Sequence, residues 1–178
     1  MTNTQKVLSS LVIFTLVGCA QRYAVSINEQ TVYDPRPNST GYRFSDPGLQ
    51  GCVNFALEGG GSPEVLTVLA CPGWEIAEIE GIGALSSLQF LDISNNSIMS
   101  LAPLEGLDRL SSLTITDNRI TDIAPLLSMQ TLTSAVLTGN NDIPCGQLEA
   151  LSERLGNNLR QPAECRGQER RLQRGAPL

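Results

Sequence analysis

At 178 residues the chain suits one domain with a short appendage, and 41% hydrophobic but only 4% aromatic residues make its core aliphatic. A net charge of -6, from 18 acidic and 12 basic residues, argues against a nucleic-acid surface. Histidine is absent, which removes the commonest general base and the commonest metal ligand.

The amino-terminal stretch reads as targeting. Lys6 precedes "VLSSLVIFTLVG" (Val7 to Gly18), an apolar run of 12 residues. A membrane-spanning helix needs about 20 residues, so this run has the length of a signal-peptide core instead. "LVGC" (Leu16 to Cys19) resembles the lipobox of bacterial lipoproteins. The resemblance implies cleavage of residues 1–18 and diacylation of Cys19, hence a lipid-anchored protein of the cell envelope. Ala20 and Gln21 lack the aspartate associated with inner-membrane retention, which implies the outer membrane in a two-membrane cell. An ordinary signal peptide with a chance cysteine is the plainer alternative. Residues 19–43 are polar and proline-bearing and suit a tether, within which "YAVSI" (Tyr23 to Ile27) is fit to add an edge strand.

Beyond the tether one phrase recurs. "LDISNNSIMSLAPL" (Leu91 to Leu104) returns as "LTITDNRITDIAPL" (Leu113 to Leu126), displaced by 22 residues. At that period Asn96, Asn118 and Asn140 align, as do Leu88, Leu110 and Leu132, and Ile93, Ile115 and Leu137. Pro103 aligns with Pro125, Leu104 with Leu126 and Leu101 with Ile123. One period earlier, Leu66, Leu69, Ile76, Ile79 and Ile82 still fit, with Trp74 for the asparagine and Cys71 for the inward aliphatic. A single coil cannot bury its own apolar edge, whereas stacked coils build one continuous core. Stretches such as "FLDIS" alternate in and out as short parallel strands. The asparagines turn inward to satisfy backbone groups at the bend, and each "APL" starts the return segment through the fixed φ of proline.

The spacing L-x-x-L-x-L-x-x-N-x-I-x-x-[LI]-x-P-L resembles the leucine-rich repeat, and its 22-residue form resembles bacterial internalin-like domains. The resemblance implies an α/β repeat fold. It is a short right-handed solenoid with a parallel sheet on the concave face, a 3-10 or irregular convex side, and helical caps at both ends. Residues 44–65 form the amino-terminal cap, 66–144 the repeats, 145–165 the carboxy-terminal cap and 166–178 a flexible basic tail. In the first cap Asp46 is placed to cap a helix that starts at Pro47, with Leu49, Cys52, Val53 and Ala56 on one face. In the last, Leu148, Leu151 and Leu155 make an apolar stripe that Gly156 ends.

With Cys19 lipidated, Cys52, Cys71, Cys145 and Cys165 remain, and four cysteines allow three pairings. Coils stacked about 4.8 Å apart separate the two ends by more than a disulfide can span. Cys52–Cys71 and Cys145–Cys165 are therefore expected, in an oxidising compartment.

With the core committed to structure, recognition falls to the surface. The outward columns of the sheet are Val68, Phe90, Ser112, Ser134; then Ala70, Asp92, Thr114, Val136; then Pro72, Ser94, Thr116, Thr138. Phe90 is the one large aromatic among them and the natural anchor. Phe90, Asp92, Ser94, Thr114, Thr116, Val136 and Thr138 are accordingly the candidate partner-binding residues. Between Asp46 and Asp142 stand twelve carboxylates against Arg109 and Arg119, a local balance of -10. No twelve-residue calcium loop is present, no metal or other cofactor is implied, and a Ser-His-Asp arrangement is impossible without histidine. The reading is a non-enzymatic, exported, lipid-anchored repeat protein that binds an unidentified protein partner through its concave face or rim. A structural or assembly subunit of an envelope complex, or an adhesin for glycan or a host surface, are the alternatives.

Overall fold

The computed structural model describes residues 25–27, 30–33, 42–58, 61–163 and 165. Strand β1 (Val25–Ile27) pairs antiparallel with β2 (Gln30–Tyr33) in a two-stranded hairpin, so the expected strand in "YAVSI" forms with a local partner. This hairpin falls in a unit distinct from the one that begins at Pro37.

In the second unit the repeats form the solenoid expected from their spacing. Strands β3 (Val68–Ala70), β4 (Phe90–Asp92), β5 (Ser112–Thr114) and β6 (Ser134–Val136) lie parallel in chain order. Their register follows the period: Val68 faces Phe90, then Ser112, then Ser134. A fifth strand, β7 (Leu159–Arg160), pairs Leu159 with Ala135 and Arg160 with Val136. Sequence reasoning took this stretch only as the segment after the last cap helix. It is an additional sheet edge, offset by 24 residues because a helix replaces the usual return segment.

The core is a set of columns at the 22-residue period. Ile76, Ile98 and Ile120 are each fully buried, and so are Ile82, Leu104 and Leu126. Leu85, Leu107 and Met129 make a further column that the first alignment did not pick out. Truncating such a leucine to alanine costs about 2–5 kcal/mol, since the stacked neighbours cannot close the cavity. On the convex side Ile82–Ala84 and Ala102–Gly106 are 3-10 turns, while the third return is a short α-helix, α2 (Ala124–Ser128). Pro103 and Pro125 sit in the first turns of these elements, where a missing N–H costs nothing.

Both ends of the stack are covered. Helix α1 (Pro47–Ala56) buries Leu49, Cys52 and Val53, and the Leu49 N–H donates to Asp46 Oδ1 at 2.9 Å. Ala56 departs from the expected apolar face and is exposed, while Leu57 after it turns inward. Helix α3 (Cys145–Leu155) buries Leu148, Leu151 and Leu155 and ends at Gly156, whose φ of 53° favours glycine. Disulfides join Cys52 to Cys71 and Cys145 to Cys165, with Cα–Cα distances of 5.7 and 5.4 Å.

Candidate functional site: the concave sheet

Two-residue alternation sends Leu69, Leu91, Leu113 and Ala135 into the core and leaves their neighbours on the concave surface. Val68 and Phe90 stand side by side, 55% and 49% exposed, and form the apolar part of this face. Ser112 and Ser134 continue the same column and are half-buried, as are Asp92, Thr114 and Val136 in the next. Thr116 and Thr138 are half-buried, and their hydroxyls lie 3.2 Å apart in a hydrogen bond between coils. Ser94 differs from its column: it is only 7% exposed, and both its backbone N–H and its hydroxyl donate to Asp92 Oδ1. It holds the Asp92 carboxylate in place, and its own contact surface is small.

The turns behind this face are made by the asparagine ladder. Asn118 Nδ2 donates to the carbonyls of Ile93, Ile115 and Thr116, and its Oδ1 accepts from the Ile98 N–H at 3.1 Å. Asn96 and Asn140 repeat that pattern one coil to either side. Each amide so satisfies four backbone groups that no strand can reach. The residue before each rung is left-handed: Asn95 (φ 56°), Asp117 (φ 52°) and Gly139 (φ 82°), with Gly73 (φ 70°) in the first coil. Sequence reading missed this column, although asparagine, aspartate and glycine are the residue types that tolerate such a φ.

Other positioning residues were also missed. At the first coil, where Trp74 replaces the asparagine, Asp46 reaches across to accept from the Ala77 and Glu78 N–H groups at 2.9 and 3.2 Å. At the other end Gln147 Oε1 accepts from the Ile123 N–H at 2.9 Å, and the Arg154 guanidinium donates to the carbonyls of Leu126 and Met129 at 2.6 and 2.7 Å. These contacts set the caps and, through them, the edges of the sheet.

Charge on the second concave column falls on the second and the last of the five strands. Asp92 lies beside Phe90 on β4, and Arg160 extends the same column on β7, exposed. An open cleft of about 540 Å³ adjoins Arg160, lined by Thr138, Ser152, Asn157, Leu159 and Gln161. Glu75, Glu78 and Glu80 are exposed on the first coil's return. Among the described residues no cluster of histidine, cysteine, aspartate and glutamate could hold a metal. No helix among them is long and apolar enough to cross a membrane. Cys19, the expected lipidation site, and the basic tail lie outside the described residues.

The model of the family "Leucine Rich repeats (2 copies)" matches residues 86–128. Among solved structures the chain is similar to an internalin (inlF) from Listeria monocytogenes, with a TM-score of 0.59 and 27% identity over 67% of this chain and 37% of that one. It is also similar to an internalin C2 (inlC2) from the same organism, with a TM-score of 0.56 and 24% identity over 67% and 54% of the two chains. The chain thus spans between about a third and about half of those structures. Among curated proteins no sequence match is found. No enzyme family is indicated by these similarities. Repeat period, asparagine ladder and sheet register converge with them on one fold, a short leucine-rich-repeat solenoid of the kind built by bacterial internalins.

Proposed function

We propose that this chain is an exported, lipid-anchored repeat protein that binds another protein through its concave sheet. The observation that carries the reading is the pair Val68 and Phe90, two large apolar side chains left about half exposed on an otherwise small, hydroxyl-rich face. The pair lies on the first two strands of the sheet, and exposed apolar side chains of this kind, aromatic ones above all, are where interface energy concentrates. The similarity to an internalin of Listeria monocytogenes supports the reading of a bacterial repeat protein that is exported and recognises other proteins. Anchoring through Cys19, with residues 19–43 as tether, rests on the lipobox resemblance and on the apolar run before it.

Crosslinking and affinity purification from the native envelope test the reading directly. Phe90→Ala combined with Thr114→Arg is expected to lose the captured partner while the fold persists. Unchanged capture would sink recognition through the sheet face. For the anchor, Cys19→Ala is expected to release the protein from membranes, and a variant that stays bound overturns lipidation at that residue.

A further inference from the structure

The concave column that begins at Ala70 runs through Asp92, Thr114 and Val136 to Arg160, so its two charged residues are of opposite sign and stand near opposite ends. Three strand spacings separate them, about 14 Å. Asp92 is held by Ser94 through Oδ1, and among the described residues nothing donates to its Oδ2. Arg160 is free in a way that Arg154 is not. The Arg154 guanidinium is spent on helix and loop carbonyls, whereas among the described residues nothing accepts from that of Arg160. The cleft beside Arg160 is lined by Thr138, Ser152, Asn157 and Gln161, residues of the hydroxyl and amide type that can donate to an anion. Between the two charges lie only small or half-buried side chains, Thr114 and Val136 among them.

Building on the sheet-face reading above, we propose that the concave surface recognises an extended, dipolar protein segment laid across the strands. A cationic residue next to an apolar one meets Asp92 and Phe90, and a carboxylate meets Arg160 in the cleft. An extended chain covers about 14 Å in about four residues, so the two partner charges lie about four residues apart. Charge complementarity then fixes the direction and register of the segment, while Phe90 and Val68 supply the apolar contact. A uniformly basic segment, suggested by the overall acidity alone, would leave a cation against Arg160.

Capped ten-residue peptides test this. One carries Arg-Leu with a glutamate four residues on, a second has glutamine for the glutamate, and a third has glutamine for the arginine. Binding is read by fluorescence anisotropy at low salt, with the backbone amides of Thr114, Val136 and Arg160 followed by NMR. The dipolar peptide is expected to bind about tenfold more tightly than either single-charge peptide. Arg160→Gln should abolish its advantage over the peptide lacking glutamate, and Asp92→Asn, which keeps an acceptor for Ser94, its advantage over the one lacking arginine. Equal binding of all three peptides, no detectable binding of the dipolar one, or an order unchanged in both variants would overturn the proposal. Phe90→Ala separates the two levels. If it removes peptide binding while the charge variants do nothing, the face docks protein but the polarity is wrong. If neither it nor the charge variants alter peptide binding and partner capture also survives, the docking reading falls with it.

Discussion

At the amino-terminal end of the stack the cap helix starts with Pro47 and Gly48, and at the carboxy-terminal end with Cys145 and Gly146. Each helix carries one cysteine of a disulfide, Cys52 in the middle of the first and Cys145 at the start of the last, and the two bridges span 19 and 20 residues. Their contacts nevertheless differ. A Cβ on Gly48 would come within 2.2 Å of the Trp74 carbonyl oxygen and within 3.3 Å of Ile76, whereas one on Gly146 would meet nothing within 4 Å. The first cap is pressed onto the opening coil, which has no asparagine rung, and Asp46 ties the two by accepting from the Ala77 and Glu78 N–H groups. The last cap instead continues the sheet through β7 and ties to the preceding coil by long polar side chains. A solenoid can thus be closed by direct packing where the repeat has degenerated, and by extension of the sheet where it has not.

Removing each disulfide probes that difference most strongly. In the chain-entropy model a loop of this size contributes about 3 kcal/mol, so on entropy alone Cys52→Ala/Cys71→Ala and Cys145→Ala/Cys165→Ala should cost the same. Cys52 and Cys71 are fully buried, while Cys145 is only half-buried. The amino-terminal pair is therefore expected to cost more, by about 1 kcal/mol of lost packing. Urea unfolding of both double variants measures the gap. Equal midpoints would mean that the first cap is held no more tightly than the last.

The two glycines sharpen the same contrast with one methyl group each. Gly48→Ala must push α1 off the Trp74 backbone and is expected to destabilise by about 1–3 kcal/mol. Gly146→Ala has open space and reduces the freedom of the unfolded chain, for an expected gain of about 0.4–1 kcal/mol. Opposite signs in thermal unfolding are the predicted result. A neutral Gly48→Ala would show that the helix can shift without loss.

How much of this was legible in the sequence depends on how strictly a feature obeys the 22-residue period. Leu104 and Leu126, or Asn118 and Asn140, declare their places because stacked coils repeat one environment at one interval. Strand β7 escaped because it pairs only two residues and breaks the interval through α3. Ser94 looked like a surface residue by alternation, yet its hydroxyl folds onto Asp92, a local competition that alternation does not encode. Gln147 and Arg154 reach partners 24 to 28 residues away, and only the assembled cap brings those carbonyls and N–H groups within range. The candidate face itself was readable as three columns. Its charge at β7 was not, because Arg160 joins the second column only once that strand exists.

The smallest expected effect lies in the contact between the last cap and the third repeat. Asp122 accepts from the Ala124 N–H at 2.9 Å and from Gln147 Nε2 at 2.8 Å, and these bonds, the backbone one foremost, hold its carboxyl below the usual aspartate range. A carboxylate with a depressed folded-state pKa contributes stability that is present above its unfolded-state pKa and disappears as pH falls through the folded value. The carboxy-terminal cap should therefore loosen slightly in acid, below the usual aspartate range, with little change between neutral pH and that range. Because Asp122 is at the surface, the effect on global stability is expected to be small and weakened by salt. Carboxyl chemical shifts followed through an acid titration give its midpoint. Gln147→Ala, which removes the side-chain donor but not the Ala124 amide, should move that midpoint only part of the way back. Full return to the ordinary aspartate value would assign the whole shift to the cap helix, and no movement would assign it to the repeat's own turn.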